Sequence, residues 1–184
     1  MKILIVQNRK GIGDLIIFLP FIEALAKKFA TKVYLLVKEN SKALEIIGNN
    51  KYVKEIIILD RDNKKNNGIH DGIYGAYRLI KNLKSYKFDK IFIFNSSLRF
   101  NLVSKISGIP KIYQYPLFTK NKQHIIDVPK KFFKENLHLE INEDPEIQID
   151  SDLISKAAQK FQIKKNTTNI LLGIGGSGPT KRIP

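Results

Sequence analysis

Hydrophobic and polar positions along this chain fall into two rhythms that take turns. Ile3-Leu4-Ile5-Val6 is a continuous apolar run, so Lys2 to Gln7 reads as a central parallel strand buried on both faces. From Leu15 the apolar positions shift to helical spacing, with Leu15, Phe18, Leu19, Ile22, Leu25, Ala26 and Phe29 forming one stripe. Pro20 falls inside that stripe and predicts a kink or the first well-formed turn. The pattern then predicts a strand over 31–37, a short helix capped by Ser41 and running to Ile47, and a strand over 53–59. A helix over 72–83 is expected to bury Ile73, Tyr77, Ile80 and Leu83. After it come a strand over 89–95, a helix over 98–107 capped by Ser96 or Ser97 and stopped by Gly108 and Pro110, and a short strand over 111–115. Regular alternation of this kind predicts an α/β fold, a Rossmann-like doubly wound parallel sheet.

Beyond Pro116 the texture changes. A helix pattern over 124–139 is interrupted near Pro129, residues 144–149 look extended, and 152–161 is again amphipathic. A polar connector over 164–168 leads to an apolar run at 169–173, read as a buried strand entering Gly175-Gly176-Ser177-Gly178. The expected division is a domain over 1–150, a linker helix and connector over 151–168, and the first strand and loop of a second Rossmann-like domain over 169–184, cut short at Pro184.

The punctuation between the first strand and first helix is Gly11-Ile12-Gly13-Asp14. Glycines allow a tight turn, and the turn delivers the chain to a helix N-terminus whose free NH groups favour negative charge. Strand, glycine turn and helix is how α/β proteins build ligand sites. An acid after the second glycine is unusual for a phosphate cradle, so Asp14 is either a helix cap or a working carboxylate.

Composition narrows the chemistry. The 184 residues contain no cysteine, one Met and three His, which excludes disulfides and thiolate metal sites. His70 and His138 have no partner at metal-ligand spacing and read as surface residues. No window approaches the roughly 20 apolar residues of a membrane span, and the N-terminus lacks a secretory pattern, so the expected compartment is the cytoplasm. The net charge of +15 invites an anionic partner. No aromatic-basic RNA signature, zinc finger or Arg-rich arm points to nucleic acid.

Taken together, these residues resemble the ADP-heptose:lipopolysaccharide heptosyltransferases, glycosyltransferase family 9 of the GT-B class. The resemblance rests on MKILIVQNRKGIGDLIIFLPFIEALAKKF, on Tyr52 to Asp60, on Asn95-Ser96-Ser97-Leu98-Arg99-Phe100 with Ser107-Gly108-Ile109-Pro110, on His124 ahead of a helix, and on Gly176 to Pro184. The family usually has Trp where Ile183 stands, and its chains run about as long again. The resemblance implies that the first strands and helices form a GT-B N-terminal acceptor domain. It also implies inverting transfer of heptose from ADP-heptose, a nucleotide-sugar donor, to the lipopolysaccharide inner core at the inner membrane, with no metal or other cofactor. Asp14 would be the general base, and Lys181 would meet the donor phosphates with Ser177 and Thr180 beside it. Gly13, Arg99, Arg61 and Lys64, with Lys65, are where counter-charges and space for the acidic acceptor are expected.

Two rival readings stay open at this point. Asp60-Arg61-Asp62 could hold a divalent ion as in metal-dependent GT-A glycosyltransferases, or the chain could be a basic binding module without catalysis. A dinucleotide oxidoreductase is disfavoured because Gly11 to Asp14 is not GxGxxG.

Overall fold

The computed structural model describes residues 1–62, 68–117, 124–164 and 166–171. The chain divides into two units, Met1–Gln148 and Ile149–Pro184. The first holds five strands, β1 (Ile3–Gln7), β2 (Val33–Val37), β3 (Val53–Ile58), β4 (Lys90–Ile93) and β5 (Lys111–Gln114). All pair in parallel in the order β3-β2-β1-β4-β5. β1 lies at the centre with every residue buried, because both its neighbours are strands and both its faces carry helices.

The helices α1 (Ile12–Lys28), α2 (Ala43–Ile47) and α5 (Asp127–Leu137) cover one face. There Ile3, Ile5, Val33, Leu35, Phe92 and Phe94 meet Leu15, Phe18, Leu19, Ile22, Leu25, Phe132 and Phe133. The helices α3 (Gly72–Tyr86) and α4 (Leu98–Ile106) cover the other, where Leu4, Val6, Leu36, Ile91 and Ile93 meet Leu79, Leu83, Phe100 and Val103. This is the doubly wound parallel architecture that the alternation implies.

Several local expectations are corrected. Ser41 does not cap α2: it ends a 3-10 turn, Glu39–Ser41, and its hydroxyl donates to the Lys38 carbonyl at 2.6 Å, while Lys42 in the left-handed region precedes the helix. Ser97 stands before α4 but makes no side-chain cap bond. Pro20 lies inside a continuous α1. Pro129 does not interrupt α5 because it sits in the first turn, where backbone NH groups have no helical partner to lose.

α3 buries only part of the face expected: Leu83 is buried and Ile80 packs against the same cluster, but Ile73 and Tyr77 do not. Gly75, Leu79 and Leu83 point at the sheet, while Ile73 and Tyr77 face solvent. Residues 138–150 contain no strand.

The second unit contains α6 (Ser151–Lys160), begun by the Asp150 carboxylate accepting from the Asp152 NH at 2.8 Å. Of the strand expected at 169–173, the described residues Asn169 to Leu171 are exposed and outside any strand. A strand needs a neighbour to take its backbone hydrogen bonds, and the described residues of this unit offer none.

Candidate functional site

The sheet order reverses between β1 and β4, and in open parallel sheets a crevice opens at that point beyond the carboxyl ends of the strands. Asn8 after β1 and Asn95 after β4 face each other across it, the Asn95 amide donating to Asn8 Oδ1 at 3.0 Å. Gln114 at the end of β5 donates to the carbonyls of Asn95 and Ser97 at 3.1 and 2.9 Å, and Asn101 of α4 donates to Gln114 Oε1 at 2.8 Å. A continuous side-chain network therefore fastens the loops that frame the crevice.

Gly11 enters α1 with φ at +117°, a conformation that a side chain would strain, so this glycine is required by the turn. Gly13 is not: it sits in the first helical turn, and a Cβ there would meet no atom within 4 Å. The space in front of Gly13 is open for a ligand. Asp14 follows in the same turn, its Oδ2 lying 3.9 Å from where a Cβ on Gly11 would stand. Its carboxylate is a quarter exposed and pairs loosely with Arg9 at 3.8 Å.

Beside this turn is a cleft of about 600 Å³. Arg9 and Phe18, one helical turn after Asp14, form one wall; Phe94, Asn95, Gln114 and Tyr115 come from β4 and β5; and α5 adds Lys131, Phe132, Glu135 and Asn136. Its floor is rigid, because Phe18 packs on Phe94 at 5.1 Å, Phe94 on Tyr115 at 5.9 Å and Tyr115 on Phe132 at 5.2 Å between ring centres. Above that floor the lining is polar. Among the described residues the Tyr115 hydroxyl is buried without a partner, and burial pushes its pKa up, so it remains a neutral donor. The cleft thus presents Arg9, the Lys131–Glu135 ion pair at 3.7 Å, amides and a hydroxyl over an aromatic floor. Sequence reasoning missed Arg9, Tyr115 and Lys131. Their spacing along the chain carries no motif, and only the meeting of α1, β5 and α5 joins them.

Arg61 and Arg99 lie on the far side of β1. The Arg61 guanidinium stands 3.7 Å from Asp62 and 3.8 Å from Asp71, so local acids already balance it. Arg99 donates to the His70 carbonyl at 2.6 Å, while its Nε is buried without a protein partner. His70 is not the surface residue expected: it is buried, and its Nδ1 accepts from the Asp60 NH at 3.2 Å. Burial pushes its pKa down, with Arg99 and Arg78 adding to the effect and Asp60 and Asp71 opposing it.

The acids of 60–71 are spent on folding this loop. Asp60 accepts from the Ile69 NH at 3.0 Å, and Asp71 accepts from the NH groups of Gly68 and Asp62 at 2.8 and 3.2 Å. Asp62 takes the ammonium of buried Lys38 at 2.5 Å, and this bond holds its carboxyl below the usual range. Asp60 and Asp62 therefore turn to separate partners rather than converging on an ion. Among the described residues no cluster of three metal-ligating side chains exists. Lys64, Lys65, Ser177, Thr180 and Lys181 lie outside the described residues.

Comparison with models of known protein families finds no match, and neither does comparison with curated proteins. Solved structures do match. A glycosyl transferase of family 9 from Veillonella parvula aligns with a TM-score of 0.71 at 20% identity, over 100% of this chain and 56% of that one. The chain shares its fold with family 9 glycosyltransferases. The ADP-heptose lps heptosyltransferase II of E. coli aligns at 0.61 and 15% identity, over 90% of this chain and 52% of that one. E. coli heptosyltransferase WaaC with ADP aligns at 0.51 and 17% identity, over 78% and 49%. The chain spans about half the length of each of these structures. Among its described residues no helix is long and apolar enough to cross a membrane.

Proposed function

We propose that this chain is the acceptor-binding part of an inverting glycosyltransferase that moves heptose from ADP-heptose to the inner core of lipopolysaccharide. The observation that carries the reading is the Asp14 carboxylate, set beside open space at Gly13 and paired loosely with Arg9 of the polar cleft, in a chain that aligns over its full length with a family 9 fold. The acceptor, rich in hydroxyls, phosphates and acidic sugars, lies in the cleft against Arg9 and Lys131, with Tyr115 donating to it. One of its hydroxyls approaches Asp14.

The carboxylate accepts the hydroxyl proton late, as the oxygen bonds to an oxocarbenium-like anomeric carbon and the bond from that carbon to the diphosphate breaks on the opposite face. Arg9, loosely paired, turns the carboxylate while leaving an oxygen free. The departing diphosphate needs positive charge and hydrogen-bond donors, the roles assigned to Lys181, Ser177 and Thr180. No step calls on a metal ion. Arg99 at the start of α4 and Lys64 would supply further counter-charge to a part of the acceptor that extends beyond the cleft, whereas Arg61 is already balanced by Asp62 and Asp71. The reaction belongs on the cytoplasmic side of the inner membrane, where a lipid-anchored acceptor meets a soluble nucleotide sugar.

In protein that also carries a donor-binding half, Asp14→Ala is expected to abolish transfer while leaving folding and acceptor binding nearly unchanged. Transfer at the wild-type rate would overturn the assignment. The 184-residue chain by itself is expected to bind the acceptor without turning over ADP-heptose, and turnover by the purified chain would sink that part of the reading.

A further inference from the structure

α3 and α4 lie side by side on one face of the sheet. They are pinned near one end by Arg99 donating to the His70 carbonyl, and further along Ser107, whose hydroxyl donates to the Val103 carbonyl at 2.7 Å, lies against Ile80. Leu79 and Leu83 of α3 and Phe100 and Val103 of α4 turn to the sheet, and Ala76, Ile80 and Tyr86 pack partly against the same cluster, while six other apolar residues of the two helices face outward. On α3 these are Ile73, Tyr74 and Tyr77, at 88%, 85% and 66% exposure. On α4 they are Leu98, Leu102 and Ile106, an exposed stripe at intervals of four.

Burial in the folded chain explains none of the six, and contiguous exposed apolar surface marks an interaction site. The charge beside it is of one sign. Neither helix contains a single Asp or Glu, while Arg78, Lys81 and Lys84 on α3 and Lys105 on α4 are exposed. The opposite layer differs: α1, α2 and α5 each carry an acid, Glu23, Glu45 and Glu135 among them.

We infer that the outward face of α3 and α4 is a docking surface for an anionic lipid bilayer. Tyrosine, isoleucine and leucine seat at the boundary between head groups and acyl chains, and lysine and arginine beside them meet the negative surface potential. A second copy of the chain is a poor occupant, since it would bring these cations against each other with no acid in either helix to pair them. The surface uses none of the cleft residues and does not rest on the transferase reading, so each can fail without the other.

The test is co-sedimentation of the full 184-residue chain with vesicles of phosphatidylglycerol and phosphatidylethanolamine, and separately of phosphatidylcholine. Binding to the anionic vesicles alone is expected, weakening as salt is raised. One basic residue at such a surface is worth about fivefold in partition, so the double variant Lys81→Glu, Lys84→Glu should bind at least ~10-fold more weakly. Replacing Ile73, Tyr74 and Tyr77 together by Ser should cost about tenfold as well. Lys28→Glu with Lys54→Glu, exposed positions outside this face, makes the same change in net charge and should cost much less.

Tyr74→Trp gives the chain its only tryptophan, whose emission should shift to the blue on anionic vesicles. These substitutions fall at solvent-exposed positions, and circular dichroism checks that each variant folds. Equal binding to both vesicle types overturns the proposal, as does equal loss in the control pair. A dimer in sedimentation velocity that the Ser variant dissolves, without vesicle binding, assigns the face to a second copy and also overturns it.

Discussion

Gly75 is the glycine on which the loop beside the candidate site depends. It lies in the first turn of α3 against the turn that precedes it, and a Cβ built there would stand 2.2 Å from the His70 carbonyl carbon and 2.6 Å from its Cα and oxygen. Carbon contacts are comfortable at about 3.5 Å, so Gly75→Ala forces the backbone of His70 away by roughly 1 Å. That backbone is held on several sides: His70 NH donates to the Asp60 carbonyl at 3.0 Å, its carbonyl receives Arg99, and its ring accepts from the Asp60 NH. Forced overpacking costs about 1–3 kcal/mol, and weakening one of these bonds adds about 1. The better helix propensity of Ala returns up to about 1 kcal/mol. The net expectation is a loss of about 2 kcal/mol.

Gly13→Ala supplies the reference, because the same added methyl meets open space at an ordinary helical φ and should stabilise by about 0.5 kcal/mol. Urea unfolding of the two variants beside wild type measures both, and the midpoints should move in opposite directions. If Gly75→Ala matches or exceeds wild type, the His70 turn is not packed as described, and the steric argument fails.

Three further outcomes follow from the same structure. With its pKa lowered from 6.5, His70 is unprotonated in the fold where the unfolded chain binds a proton, so its contribution to stability is complete above about pH 6.5 and declines as pH falls toward the lowered value. Urea midpoints measured from pH 7.5 down to about 5.5 should show that slope, and His70→Gln should flatten it; identical slopes refute the role. Asp62→Ala should destabilise by about 1–3 kcal/mol, and more than Lys38→Met, because it strands a buried ammonium whereas the reverse change frees a half-exposed carboxylate; equal losses in thermal melts would show that the ion pair is not buried from the lysine side. Tyr115→Phe should leave stability within about 0.5 kcal/mol, since the hydroxyl has no protein partner to lose, yet weaken acceptor binding measured by calorimetry. Unchanged binding would remove Tyr115 from the cleft's polar set.

The parts of this protein that its sequence determined are those governed by short-range periodicity and turn chemistry. Five apolar runs with helical stripes between them prescribe a wound parallel sheet, and β1 is legible as central because nothing polar interrupts Ile3 to Val6. Gly11 before Asp14 marks the tight turn into α1, since the positive φ that glycine permits is a local property. Tertiary structure decided everything that depends on which surface meets which. α3 carries apolar residues on more than one face, and beside Leu83 and Ile80 only the sheet selected Leu79 over Ile73 and Tyr77. His70 and Lys38 are buried with partners supplied by Asp60 and Asp62, which no local signal announces. The cleft is built the same way, from Arg9, Tyr115 and Lys131, which lie far apart along the chain. Periodicity records that a face is apolar; its partner is set by packing, which acts between residues distant in the chain.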